Sequence, residues 1–395
     1  MKKYLALVLC LVMVLSMAAC GSSNSAPAES TAPETTAPET TAPETETPEV
    51  SDTDYKVAMI TDYGDITDES FNQATYEGAK EFCEANGVDF KYYKPAGDST
   101  AERVAMVDAA VADGYNVIVM PGYAFGETIT QTADLYPDVK FIALDVSQGD
   151  LGDYVLPENV FCAVYQEELC GYMAGYAAVK LGYTHLGFLG GMAVPAVIRY
   201  GYGYVQGVDA AAAELGTDVT VEYVYGNQFF SDSDITAYMD TWYQTNGVQV
   251  VFACGGGIYG SAAEAAAKVE GAKVIGVDVD QAPIIDAYGE GMTVTSAMKG
   301  LSATVKTMLS ELILNDNWAE YAGQVTSLGL VSGTDVEANY VQIPYGSTQW
   351  SDSFTQEDYV ALVGKMFDGE ITVSNSTDAE PTVSAITVNY YGNIK

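Results

Sequence analysis

From residue 54 onward the chain alternates between two hydrophobic rhythms. Short, almost unbroken apolar runs rich in Val and Ile fall at Lys56–Thr61, Val88–Lys91, Val117–Met120, Lys140–Leu144 and Val160–Val164. Runs of that length bounded by turn residues predict strands buried on both faces. Between them, at Phe71–Asn86, Ser99–Ala112 and Phe125–Tyr136, apolar residues recur at helical spacing. The second half repeats the theme. Strands are predicted at Thr184–Leu189, Thr220–Val224, Val248–Ala253, Lys273–Val277 and Met292–Thr295, and helices at Ala196–Leu215, Ser231–Gln244, Ser261–Gly271 and Gln281–Tyr288. Strand–helix–strand units in series predict parallel sheets covered by helices on both faces. Two such series predict an α/β protein of two doubly wound parallel-sheet lobes with a hinge. Chain crossings are expected near 160–165, 299–302 and 325–330. The N-terminal lobe is then 54–160 plus 300–325, and the C-terminal lobe 161–299 plus 326–395.

Residues 1–53 follow neither rhythm. Lys2 and Lys3 precede an apolar run from Leu5 to Leu15, and Ala18 and Ala19 stand just before Cys20 and Gly21. The run is too short to span a bilayer and reads as an export signal. A Cys at the cleavage point predicts a lipoprotein signal peptide, 1–20, with Cys20 acylated as the membrane anchor. Residues 21–53 carry three copies of Thr-Ala-Pro-Glu-Thr, at 31–35, 36–40 and 41–45, with no Lys, Arg or aromatic residue. Such a segment buries too little to fold and reads as an extended tether. The expected location is the extracytoplasmic face of the cell membrane.

Charge and cysteine usage narrow the chemistry. Sixteen Lys and Arg against 54 Asp and Glu leave a net charge of −38. That field repels phosphate backbones, which argues against a nucleic-acid partner and favours a ligand without negative charge. Cysteines occur at 10, 20, 83, 162, 170 and 254, with no C-x-x-C pair, and His185 is the single histidine. A zinc site and His-dependent acid–base catalysis are both disfavoured. Cys83, Cys162, Cys170 and Cys254 are expected as buried thiols, with one disulfide left open. Gly255-Gly256-Gly257-Ile258-Tyr259-Gly260 is a G-x-G-x-x-G after a predicted strand, with Asp278 at the end of the next. That is the spacing of a dinucleotide site. Export and the acidic body weigh instead for a glycine turn that permits close approach.

In parallel sheets ligands bind at the carboxyl ends of the strands. The predicted strand exits here carry Asp62, Asp68, Phe71 and Asn72, then Asp145, then Phe229 and Phe230, then CGGGIYG, Asp278 and Lys299. Hydrogen-bonding groups and flat rings on both walls suit a cleft between the lobes. Asp280 is expected to cap the helix near Gln281, and Tyr165, Gln166 and Glu167 to pack at the hinge.

The ordered motifs ITDYGDITDESFNQATYEG, FIALD, EELCGYMAGYAA, GFLGGMAVPAV, RYGYGYVQG, GNQFFSD, VFACGGGIYG, VIGVDVDQ and TSAMK span about residues 56–345. Together they resemble the basic membrane protein family, nucleoside-binding surface lipoproteins of ABC importers with the type I periplasmic-binding-protein fold. Tyr76 stands where that family usually has Trp, and CGGGIYG where Gly-Thr-Gly is commoner. The resemblance implies a purine base sandwiched between Phe71 and Phe230, with Phe229 as the alternative to the latter. It implies that Asp62 and Asp145 bond the base edge and that Asp278 and Lys299 hold the ribose hydroxyls; Asn72, at the first strand exit, is a further candidate ligand-binding residue. It further implies an ABC permease as partner, a monomer, no cofactor and no catalysis. Three other readings stay open: a sugar-binding protein of the same fold, an exported nucleoside hydrolase or NAD-linked enzyme, and a sensory receptor that passes its ligand signal to a membrane kinase.

Overall fold

The computed structural model describes residues 54–394. The proposed signal peptide, Cys20 and the tether lie outside the described residues. Strands β1 to β13 are Lys56–Ile60, Asp89–Tyr93, Val117–Pro121, Lys140–Leu144, Val160–Tyr165, His185–Gly190, Val219–Tyr225, Val250–Cys254, Lys273–Asp278, Thr293–Lys299, Gln324–Leu328, Val341–Gln342 and Ile386–Asn393. Helices α1 to α11 are Phe71–Asn86, Thr100–Ala112, Gly126–Thr132, Gln148–Leu151, Glu167–Lys180, Pro195–Leu215, Ser233–Thr241, Tyr259–Ala266, Ala282–Ile285, Leu301–Ile313 and Gln356–Phe367.

The strands form two sheets, ordered β11-β5-β4-β3-β1-β2 and β12-β10-β9-β8-β6-β7-β13. Every pairing is parallel except β10 with β12. The apolar runs are buried on both faces: β3 and β8 have no exposed position. Strand order reverses between β1 and β3 in one sheet and between β6 and β8 in the other, and such switch points open crevices at the strands' carboxyl ends.

Two of the expected lobe boundaries are corrected. The break at 160/161 falls inside β5 and the break at 325/326 inside β11, and both strands belong to the first sheet. The chain therefore crosses after Tyr165 and after Leu328. The third crossing is at Gly300, after which α10 packs on α1 of the first lobe.

Local chemistry explains most element ends. Gly87 and Gly216 close α1 and α6 in the left-handed conformation, and Pro195 opens α6 at its first turn. The helix expected from Ser231 starts at Ser233, because Asp232 caps it by accepting from Asp234 N and Ile235 N. It ends in a π-helical turn, Trp242–Asn246. Asp280 caps α9 through Ala282 N at 3.1 Å. Helix α5 lies against α6 through glycine. A Cβ on Gly171 would stand 2.2 Å from the Tyr200 carbonyl oxygen, and one on Gly203 2.1 Å from that of Glu168. This backbone-to-backbone packing sets the start of α5 against the second and third turns of α6.

The four described cysteines are free and buried. His185 pairs with Glu222 at 3.0 Å on the flank of the second sheet. No described helix is long and apolar enough to cross a membrane.

Candidate functional site

A cavity of about 540 Å³ lies between the carboxyl ends of the two sheets, lined by residues of both lobes. That size falls within the range of small-molecule pockets. Asp62, Phe71, Asn72, Asp145, Phe230, Asp278 and Lys299 all border it.

On the first lobe the loop after β1 folds around its own acids. Asp62 Oδ1 accepts from Tyr63 N at 2.6 Å and Gly64 N at 2.9 Å. Burial raises its pKa, and those two bonds only partly offset it. Asp68 accepts from Ser70 N, Asn72 N and Gln73 N, capping α1 in place of its N-cap residue. The Asn72 side-chain Nδ2 also donates to Asp68 Oδ2 at 3.0 Å. This bond orients the amide, and Asn72 Oδ1 is left buried with no hydrogen-bond partner. Asp145 follows β4 in a left-handed backbone conformation, φ 58°. Its Oδ2 accepts from Lys299 Nζ at 2.6 Å, and its Oδ1 is a second buried oxygen without a partner.

On the second lobe Lys299 closes β10 and is 5 % exposed. Its Nζ lies 3.4 Å from Glu167 and 3.8 Å from Asp278, and 4.9 Å from the centre of the Phe71 ring. Glu167 also accepts from Arg199 Nε at 2.6 Å. Three carboxylates thus surround two cations. Burial on its own would lower the Lys299 pKa, but Asp145, Glu167 and Asp278 more than reverse this and hold the amine charged. Burial raises Glu167 and Asp278, each partly offset by Lys299. Asp278 sits at φ 64° and has protein partners on both oxygens, Ser70 Oγ at 2.6 Å and Tyr200 OH at 3.3 Å.

The aromatic residues divide by depth. Phe71 is half-buried, and Lys299 lies over its ring. Phe230 is 57 % exposed at the rim. Phe229 is half-buried against backbone: a Cβ on Gly191 would stand 2.4 Å from its ring and one on Gly255 3.0 Å. The G-x-G-x-x-G therefore serves here as a floor for Phe229, with Gly255 and Gly256 both at positive φ.

Sequence reasoning passed over Arg199 and Tyr200, which border the cavity, and took Glu167 for hinge packing. Glu167 does lie at the crossing, yet it is the bridge between the two cations. Arg199 carried a signal, being one of only 16 basic residues and inside the RYGYGYVQG motif. Glu167 carried none, because its partners come from β10 and α6.

Two α/β lobes joined by three chain crossings around a polar and aromatic cavity define a solute-binding protein of the periplasmic type. Solved structures of the same fold include ABC transporter solute-binding proteins from Aeropyrum pernix and Conexibacter woesei. Each has a TM-score of 0.62 at 23 % identity, covering 80 % and 81 % of this chain and 87 % and 99 % of the other. The chain belongs to the Bmp family, ABC transporter substrate-binding proteins described as PnrA-like, whose model matches residues 55–344. One relative is the ABC transporter nucleoside-binding protein BmpA of Lactococcus lactis, 30 % identical over 58 % of this chain and 65 % of its own length. Another is basic membrane protein B of Borreliella afzelii, 27 % identical over 73 % of this chain and 82 % of that protein. An uncharacterised lipoprotein of Pyrococcus furiosus is 26 % identical over 70 % of this chain and 68 % of its own.

Proposed function

We propose that this chain binds purine nucleosides between its lobes and delivers them to a membrane permease, held to the extracytoplasmic face of the membrane through a lipid on Cys20. The observation that carries this reading is the pair of unpartnered buried acceptors, Asn72 Oδ1 and Asp145 Oδ1, on residues lining a cavity with phenyl rings on both walls. Lys299 and Arg199 are engaged by carboxylates, and further acids border the space. A ligand suited to it is flat, brings N–H and O–H donors, and carries no negative charge. Nucleosides meet all three conditions and nucleotides fail the third. In this reading Phe71 and one of Phe230 and Phe229 stack on the base, Asp62, Asn72 and Asp145 accept from it, and Asp278 with Lys299 meets the ribose. The protein acts as a monomer without cofactor, and the ligand leaves unchanged. The name of the Lactococcus relative supports the same ligand class.

Competition calorimetry with guanosine, inosine, adenosine, ribose and galactose tests the proposal. Nucleosides are expected to bind, and a preference for a free hexose would overturn it. Incubation with inosine is expected to release no hypoxanthine. Base stacking contributes about 1–3 kcal/mol per ring. Phe71→Ala is therefore expected to weaken nucleoside binding by roughly 5- to 150-fold, and an unchanged affinity would remove Phe71 from the site.

A further inference from the structure

Buried polar contacts join the lobes at the edge of the cavity, made by Ser70 and Gln281, which do not border it, the first of them to Asp278, which does. Ser70 occupies the N-cap position of α1, where a serine hydroxyl ordinarily bonds the backbone of its own helix. Here it makes no such bond. Asp68 has taken over the capping, and Ser70 Oγ donates across the lobes to Asp278 Oδ2 at 2.6 Å. One residue earlier, the Glu69 carbonyl accepts from Gln281 Nε2 of the second lobe at 2.9 Å. Gln281 is itself fixed: its Oε1 accepts from Val277 N at 2.9 Å and its N–H donates to Ser296 Oγ at 3.1 Å. Ser70 and Gln281 are each 1 % exposed. Glu69 and Asp278 both hold left-handed backbones without being glycine, φ 53° and 64°. Two strained positions meeting across an interface are kept so by the contacts they make.

We infer that Ser70 and Gln281 form a clasp that holds the lobes closed without touching the ligand. They are positioning residues: the clasp keeps part of the unliganded population closed and sets how long a bound ligand stays. A hydrogen bond to a charged group is among the stronger kinds, and an affinity measured on a partly closed population scales with the closed fraction. The inference rests on the two-lobe binding-protein reading and not on the ligand being a nucleoside.

Hydrogen–deuterium exchange on the full chain, with no ligand added, tests it directly. In the Ser70→Ala, Gln281→Ala double variant, segments 62–73 and 277–282 are expected to exchange at least about tenfold faster than wild type, while β3 and β8 keep wild-type rates. Ser70→Thr, which retains the hydroxyl, is expected to behave as wild type. With guanosine as probe, the double variant is expected to release ligand about tenfold faster and to associate no more slowly than wild type, a split that a loss of ligand contacts alone would not accompany with faster exchange in the free protein. Wild-type exchange in both segments would overturn the clasp. Faster exchange in β3 and β8 as well would also overturn it, assigning the residues to general stability. Absence of guanosine binding would sink the nucleoside reading and leave the exchange comparison intact.

Discussion

Lys299 sits where acids from both lobes converge, so its charge is needed for the fold before it is available to a ligand. Asp145, Glu167 and Asp278 all lie within 3.8 Å of it. Removing one partner from a buried ion cluster leaves uncompensated charge and costs about 3–5 kcal/mol. Lys299→Met is therefore expected to lower the unfolding free energy from chemical denaturation by that amount, and with it the midpoint, and adding Asp145→Asn to recover part of it. A midpoint unchanged by Lys299→Met would show that solvent, not lysine, compensates the acids. Asn72 makes the opposite case. Its backbone N–H and its Nδ2 are both held by Asp68 and its Oδ1 has no protein partner, so that one oxygen is spare for recognition. Asn72→Leu is expected to weaken guanosine binding by about tenfold, near the upper end for one neutral hydrogen bond, and to lower stability by less than Lys299→Met does, since Asp68 keeps its three backbone donors. Calorimetry beside denaturation separates the two effects.

At the scale of elements, β13 shows how far the C-terminal chain is tied to the second lobe. It pairs in parallel with β7, and Glu222 on β7 accepts from Asn389 and from Tyr391 OH at 2.6 Å, while His185 bonds its other oxygen. Burial alone would raise the Glu222 pKa, but the bonds from Tyr391, His185 and Asn389 outweigh it and hold the carboxyl below its ordinary value. A depressed acid contributes stability that is full above its unfolded pKa, about 4.3, and is lost as pH falls through the folded value. Exchange in 386–394, corrected for intrinsic rates, is thus expected to rise relative to β6 as pH falls below about 4.3, and equal loosening of both would refute a local tie. Nothing in the sequence rhythm marks β13, which is half-exposed and lacks an unbroken apolar run. The buried strands were legible because burial on both faces leaves such runs. The crossings were legible to within a few residues, but the lobe limits at 160/161 and 325/326 fall inside β5 and β11, because nothing in VFCAVY or QVTSL marks where the strand ends. Helix α5 was missed for another reason: it is buried nearly all round and packs through glycines, so it has almost no polar stripe. The same division holds in the site. Topology alone carries the strand-exit residues Asp62, Asp145, Asp278 and Lys299 to the cavity. Ser70, Glu167 and Arg199 acquire their partners only when α5 meets α6 and the lobes meet each other.

For the whole molecule, several acids are buried against their own charge, and this sets the direction of its pH dependence. Burial raises Asp62, Asp68, Glu167 and Asp278 above the usual carboxylate range. Glu168, at the start of α5, is pushed up to about 7, mainly by burial and further by Glu167, and its Oε2 is buried with no partner. In the unfolded chain the same carboxyl titrates near 4.3. Between about pH 4.3 and 7 the folded state therefore binds more protons than the unfolded state, and by linkage stability falls as pH rises through that window. Self-repulsion at a net charge of −38 acts in the same direction. The melting temperature of the unliganded chain is expected to be higher at about pH 5.5 than at about pH 7.5. Glu168→Gln removes the proton without removing the buried polar group, so it is expected to raise the value at the higher pH and flatten the slope. A variant with the wild-type slope would place the pH dependence in the other acids, and a melting temperature that rises toward pH 7.5 would contradict the burial of these carboxylates altogether.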